Sequence, residues 1–173
     1  LGGMEGDDGI ALAELARKEG DSLGSRVDLM ISGLPVGFGE PWFEGIEPAL
    51  ARALMAIPAA RAVEFGRGVD AGKMRGSQHN DKWGEDMSLS EGADGALGGM
   101  ASGAPIHVRI TFKPPSGISK PQETFNQITG MMEELAIKGR HDPVIGPRAR
   151  PVVEAVARLV IADLAIQGGY IDG

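Results

Sequence analysis

The chain of 173 residues contains no cysteine, which excludes disulfides, thiolate metal sites and a thiol nucleophile. It also has no apolar run of about 18 residues and no basic segment leading into an apolar one near its start, so neither a membrane span nor secretion is indicated. The three histidines, His79, His107 and His141, lack zinc-like spacing, so no metal site is predicted. These absences favour a cytoplasmic location.

Basic residues are fewer than acidic ones: 17 Lys and Arg against 24 Asp and Glu give a net charge of −7. A nucleic-acid surface needs a basic footprint, so we expect no nucleic-acid partner. An anionic ligand would have to be held by a local cluster of cations. Glycine, in contrast, is abundant at 27 positions, which indicates many turns and close backbone approaches.

Hydrophobic periodicity predicts an α+β fold with antiparallel sheets packed against helices, because helices and strands do not alternate as regular βαβ units. We expect one domain over residues 1–173 that includes a long mobile loop at 66–98. The predicted elements are helices at 10–19, 42–55, 121–138 and 152–166 and strands at 26–32, 62–65 and 106–112.

Two cations next to turns stand out as candidate anion ligands. Lys113 ends the strand 106–112 and precedes the stiff turn Pro114–Gly117, whose hydroxyl and N–H groups can seat a phosphate. Arg140 is predicted at the end of helix 121–138, with Asp142 two residues later. The simpler alternatives are a solvated sheet face for the strand and an ordinary surface ion pair between Arg140 and Asp142.

A proline-stiffened turn connects Arg140 to the apolar helix that follows. Pro147 and Pro151 suit the first turn of a helix, where a missing N–H costs nothing. Glu154 and Arg158 are four residues apart and should pair on a narrow charged stripe, leaving the rest of the helix apolar. We therefore expect an internal helix that holds the Arg140 turn at its N-terminal end, where an anion is favoured.

The sequence of this region, GRHDPVIGPRARPVVEA at 139–155, resembles the C-terminal signature of the chorismate synthase family. The resemblance continues in family order through segments 20–22, 33–41, 53–59, 76–78, 98–103 and 112–114. It covers about the second half of a family member. The family's early Ser-His-Gly and Gly-Arg-x-Ser-x-Arg-Glu-Thr motifs do not occur in these 173 residues.

The resemblance implies a β-α-β sandwich, incomplete here, and the family's reaction. That reaction is a 1,4-elimination of phosphate from 5-enolpyruvylshikimate-3-phosphate to give chorismate, in the shikimate pathway of aromatic amino acid biosynthesis. It requires reduced FMN, with NADPH as a candidate reductant, and the family enzyme is a homotetrameric lyase. Without the missing half, this chain alone is expected to be inactive.

The resemblance also assigns site residues. Asp142 looks like a carboxylate that relays a proton near the flavin, and Arg140 would contact flavin or substrate phosphate. The cofactor-binding positions would be Pro58, Ala59, Gly98, Lys113, Pro114, Pro115, Ser116, Gly117 and Arg140. The chain departs from the family pattern at Pro58 (often Asn), Glu91 and Asp94 (Asn and Gly expected), Gly117 (usually a hydroxyl residue) and Val144 (commonly Cys).

Two other hypotheses remain open from the sequence. One is a non-catalytic module that binds flavin or phosphate without turnover. The other is a packing or assembly domain in which the glycine turns are purely architectural.

Overall fold

The computed structural model describes residues 1–85 and 94–172, and in these residues it has four α-helices and seven β-strands. The predicted α+β class is confirmed. In chain order the elements are α1 (Gly6–Lys18), β1 (Ser25–Ile31), α2 (Ile46–Met55), β2 (Ala60–Phe65), α3 (Gly76–His79), β3 (Ala96–Leu97), β4 (Met100–Ala101), β5 (Ile106–Phe112), β6 (Gln122–Asn126), β7 (Met131–Leu135) and α4 (Gly146–Gln167). No helix in the described part combines the length and apolarity needed to cross a membrane.

The strands form a three-stranded sheet in the order β1-β5-β2 and two small antiparallel pairs, β3-β4 and β6-β7. The central strand β5 buries Ile106, Val108, Ile110 and Phe112, while His107 on the other face is exposed. Alternation of period two predicts this strand with its bounds, and the structure confirms it. The same alternation appears in β1, where Val27 is buried between exposed neighbours.

The chain divides into two compact units. The first unit comprises residues 1–26 and 111–149, and the second comprises the described residues of 27–110 and 150–172. The prediction of one domain over the whole chain stays a prediction.

In the second unit, α2 packs against β2 and buries Ile46, Leu50 and Leu54, spaced four residues apart on one face. The predicted helix at 42–55 is interrupted at Gly45, where the backbone is extended (φ −63°, ψ 163°). Only a short 3₁₀ turn, Trp42–Glu44, precedes the break.

The predicted helix at 121–138 is wrong, because these residues form the β6-β7 hairpin. The side-chain oxygen of Asn126 accepts hydrogen bonds from the N–H groups of Ile128 and Thr129, and Gly130 adopts a positive φ of 72°. This turn chemistry stabilises a hairpin rather than a helix. Ile128, at the hairpin tip, is 96% exposed, so it faces no core. Arg140 therefore does not lie at a helix end.

The last helix begins at Gly146, six residues before the predicted start, so that Pro147 lies in its first turn and Pro151 inside it. It buries one stripe that includes Val153, Ala157 and Leu164. Leu159 is 70% exposed, so the prediction of an internal helix is wrong for the opposite side. The predicted pair of Glu154 and Arg158 is confirmed, with 2.6 Å between Oε1 and Nη2.

Short elements occupy parts of the predicted long loop at 66–98. A 3₁₀ helix spans Gly68–Lys73, α3 makes a single turn, and β3 pairs with β4. Residues 86–93, which include Glu91, lie outside the described residues. The mobility of this loop stays a prediction.

Candidate anion-binding site

The first candidate turn, Lys113–Gly117, follows β5 directly. Lys113, Pro114 and Ser116 are exposed, and Pro115 and Gly117 are half-buried. The side chains of Lys113 and Ser116 form no hydrogen bond or ion pair with the residues that the structure describes. An ammonium and a hydroxyl are thus presented to solvent on a turn stiffened by two prolines, which are donors suited to phosphate oxygens.

The second candidate turn, Arg140–Asp142, lies between the hairpin and α4. Asp142 accepts a charge-assisted hydrogen bond from Nη1 of Arg148, in the first turn of α4. The predicted alternative, an ion pair between Arg140 and Asp142, is therefore wrong. The guanidinium of Arg140 is exposed and has no partner within the described residues. Arg140, Asp142 and Arg148 together line an open surface depression of about 360 Å³.

The two turns contact each other through His141. A Cβ placed on Gly117 would lie 3.1 Å from Nδ1 of His141, so the imidazole covers the glycine that stands where the family usually has a hydroxyl residue. The other ring nitrogen, Nε2, is 3.0 Å from the carbonyl oxygen of Ile137. The structure thus brings Lys113–Gly117 and Arg140–Asp142 together in the first unit.

The other predicted cofactor positions lie in the second unit. Pro58 and Ala59 are the central residues of a turn closed by a hydrogen bond from Ala60 N–H to the Ile57 carbonyl at 3.1 Å. Ala59 has a positive φ of 70°, which costs a residue with a side chain about 1–3 kcal/mol. Gly98 is exposed, and no heavy atom lies within 4 Å of where its Cβ would be, so its backbone is accessible.

Sequence reasoning missed Arg148, His141 and the ion pair between Asp21 and Lys120. Lys120 Nζ lies 2.8 Å from Asp21 Oδ2, and the pair joins the segment after α1 to a residue three positions beyond the first candidate turn. Arg148 and His141 lie in the signature block, and Asp21 lies in another family segment. Their place in these segments was the sequence signal that could have pointed to Arg148, His141 and Asp21.

Hydrogen bonds from Lys120 and from the Ser22 N–H lower the pKa of the Asp21 carboxyl below its ordinary value of 3.8. Because the folded pKa is lowered, the pair stabilises the fold fully above that ordinary value and is lost as pH falls through the folded pKa. In a pH titration followed by NMR, we expect the amide signals of Ser119 and Lys120 to move on acidification with a midpoint below pH 3.8. In Asp21→Asn this acid transition should be absent, and a midpoint at or above the ordinary value of 3.8 in the wild type would contradict the pair.

In residues 1–85 and 94–172, no three His, Asp or Glu side chains are grouped so that they could hold a metal ion. Asp94, one of the departures from the family pattern, faces His79 with 3.6 Å between Oδ2 and Nε2. It also accepts a hydrogen bond from the Arg67 N–H at 3.3 Å.

Comparison with known proteins places these turns in a family context. The family model described as chorismate synthase matches residues 7–166. The chain is 46% identical over 160 residues to a chorismate synthase of Methanosarcina mazei, covering 90% of this chain and 44% of the relative. It is 48% identical over 159 residues to a chorismate synthase of Aeropyrum pernix, covering 90% of this chain and 42% of the relative.

The fold is also similar to a solved structure. A crystal structure of chorismate synthase superposes with a TM-score of 0.71 at 27% sequence identity, covering 94% of this chain and 43% of that one. The chain therefore spans somewhat less than half the length of the relatives it matches.

Proposed function

Because the chain belongs to the chorismate synthase family, we propose that it is the C-terminal part of an enzyme that converts 5-enolpyruvylshikimate-3-phosphate to chorismate. The reaction removes phosphate and a proton in a 1,4-elimination that requires reduced FMN. The observation that carries the proposal is the contact between the Lys113–Gly117 and Arg140–Asp142 turns. Both reactant and cofactor are phosphorylated, and these turns present donors suited to phosphate.

The residues present fit a flavin phosphate. Lys113, Ser116 and Arg140 are exposed and have no partner in the described part of the chain, so no internal ion pair has to be broken when an anion binds. The open backbone at Gly98 can approach a flat ring closely. When bound, reduced FMN would act as a reversible electron donor, since the elimination leaves the overall oxidation state unchanged.

The chain's own residues would then divide the work. Lys113 and Ser116 would bind the cofactor phosphate, and Arg140 would neutralise charge on flavin or leaving phosphate. Fixed cations that meet developing charge are often the largest contribution to catalysis. Asp142 would hold or relay a proton, with its carboxylate oriented by Arg148. Pro58 and Ala59 would contribute backbone contacts.

The relatives' length supports two further parts of the proposal. The chain matches 42–44% of the length of these relatives, so we propose that it is inactive alone and needs an N-terminal half. Exposed apolar side chains on α4, such as Leu159, support assembly into the tetramer that the resemblance implies. A cytoplasmic location and reduction of the flavin by NADPH complete the proposal.

Mixing experiments test this function. The chain is mixed with the N-terminal half of the Methanosarcina mazei relative, and chorismate formation is assayed anaerobically with reduced FMN. We expect chorismate from the mixture and none from either half alone. The mixture made with Asp142→Asn should be at least about 100-fold slower, because proton transfer contributes roughly 10²–10⁴-fold. No chorismate from two folded halves that associate would count against the proposal.

The short coverage of the relatives also favours a second candidate, a flavin- or phosphate-binding domain without turnover. Titration with FMN and with riboflavin, which lacks the phosphate, separates it from a purely architectural domain. Tighter binding of FMN together with an inactive mixture would indicate a binding module. If the chain binds neither FMN nor riboflavin, an assembly role is indicated.

A further inference from the structure

The segment Gly20–Gly24, between α1 and β1, contacts the first candidate turn and the residues that follow it. Ser22 Oγ donates to the carbonyl oxygen of Pro115 at 2.7 Å, and this bond is partly buried. The carbonyl of Gly20 accepts from the N–H groups of Ser119 and Lys120, both at 3.0 Å. Since Pro114 and Pro115 have no N–H, the turn has few donors with which to close itself, and this segment supplies one.

The same segment contacts the second candidate turn. The Leu23 N–H donates to the carbonyl oxygen of Pro143 at 2.7 Å, directly after Asp142. Ser25, which directly follows the segment, packs against the start of α4, since a Cβ on Gly146 would lie 2.8 Å from the Ser25 Cβ. Five consecutive residues therefore contact the first turn and the residue directly after the second, and all of these residues belong to the first unit.

We propose that Gly20–Gly24 is a clamp that sets the spacing between Lys113–Gly117 and Arg140–Asp142, with Ser22 and Asp21 as positioning residues for the phosphate of the cofactor. This inference rests on the proposed function. Ser22 holds the backbone of the turn at Pro115, and Asp21 holds Lys120, three residues beyond the end of the turn. Neither residue has to touch the ligand, because each acts by holding the backbone that carries Lys113 and Ser116.

The test compares FMN and riboflavin binding to wild type, Ser22→Ala and Asp21→Asn by flavin fluorescence titration. We expect FMN affinity to fall by about 3- to 10-fold in Ser22→Ala, the loss typical of one neutral hydrogen bond. Riboflavin affinity should stay within about 2-fold, because riboflavin has no phosphate to position. Ser22→Thr keeps the hydroxyl and should bind FMN like wild type. If substitution at this position merely destabilised the fold, Ser22→Thr would not restore FMN binding.

Matched controls are available in the second unit. Asp70→Asn removes an exposed ion pair to Lys73 with the same 2.8 Å separation as the pair of Asp21 and Lys120, and Ser77→Ala removes an exposed hydroxyl. Both should bind FMN like wild type. If Ser22→Ala does so too, while wild type binds FMN, the clamp is overturned.

Amide hydrogen exchange on the ligand-free chain distinguishes failure of the clamp from failure of the proposed function. If wild type binds no FMN, the cofactor proposal for this chain fails. Faster exchange in Ser22→Ala at both 116–120 and 140–142 would then still support the clamp. Unchanged exchange at both turns would overturn it.

Discussion

Replacing Arg140 by alanine is expected to weaken FMN binding by roughly 10- to 100-fold. A hydrogen bond to a charged group contributes about 1.5–3 kcal/mol, and each 1.4 kcal/mol is about tenfold in affinity. The guanidinium of Arg140 is exposed and unpaired among the described residues, whereas Arg148 beside it is already bound to Asp142. Flavin fluorescence titration at fixed ionic strength measures the change.

Arg158→Ala is the matched control for charge. It removes the same charge from an exposed arginine, in this case one paired with Glu154 on α4, and should leave FMN affinity unchanged. Arg140→Lys should give an intermediate loss, because lysine keeps the charge but not the bidentate geometry. If Arg140→Ala binds FMN as well as Arg158→Ala does, Arg140 has no role in holding the cofactor.

Local periodicity predicted the parts of the fold that bury one regular face. Strand β5 was predicted with its bounds because Ile106, Val108, Ile110 and Phe112 alternate with polar residues and all four are buried. The apolar face of α2 was predicted for the same reason, with Ile46, Leu50 and Leu54 on one side. In both elements the spacing of the apolar residues matches the period of the secondary structure, and those residues are the ones buried in the core.

The hairpin at 122–135 could not be predicted in this way. Phe125, Ile128, Met132 and Leu135 fit a helical period, but all four are exposed, so no core selects between helix and hairpin. The hydrogen bond that the Asn126 side-chain oxygen accepts from the Ile128 N–H and the positive φ of Gly130 decide the structure instead. Regular spacing of apolar residues predicts secondary structure only where one face of the element is buried.

The candidate site was predicted in its residue types but not in its pairings. Lys113 and Arg140 were identified from charge, turns and resemblance, yet the partner of Asp142 is Arg148, six residues away on the next helix. The support of Pro115 by Ser22 joins positions 93 residues apart. Contacts of this kind depend on how the turns fold back on each other, which spacing along the chain does not encode.

Replacing a glycine that packs against another glycine next to Gly98 should cause a large loss of stability. Gly45 and Gly99 touch through their backbones: a Cβ on Gly45 would lie 2.6 Å from the Gly99 Cα, and one on Gly99 would lie 2.4 Å from the Glu40 carbonyl oxygen. The Ile46 N–H also donates to the Gly99 carbonyl at 2.9 Å, at the start of α2. This close approach fixes the turn that carries Gly98, so its packing is a condition for the proposed cofactor contact.

Gly99→Ala is expected to lower the free energy of unfolding by about 2–5 kcal/mol, which is the sum of two separable costs. Its φ of 96° imposes backbone strain of about 1–2 kcal/mol on alanine, and the clash adds about 1–3 kcal/mol. Urea unfolding at constant m-value measures the loss.

Two neighbouring glycines isolate the two costs. Gly98→Ala carries the strain alone, since φ is 62° and no heavy atom lies within 4 Å of its Cβ position, and should lose about 1–2 kcal/mol. Gly45→Ala carries the clash alone, since its φ of −63° suits alanine, and should lose about 1–3 kcal/mol. If Gly99→Ala is no less stable than Gly98→Ala, the backbones of Gly45 and Gly99 are not in contact in solution. The turn at Gly98 would then lack the rigid support that a cofactor-binding backbone requires.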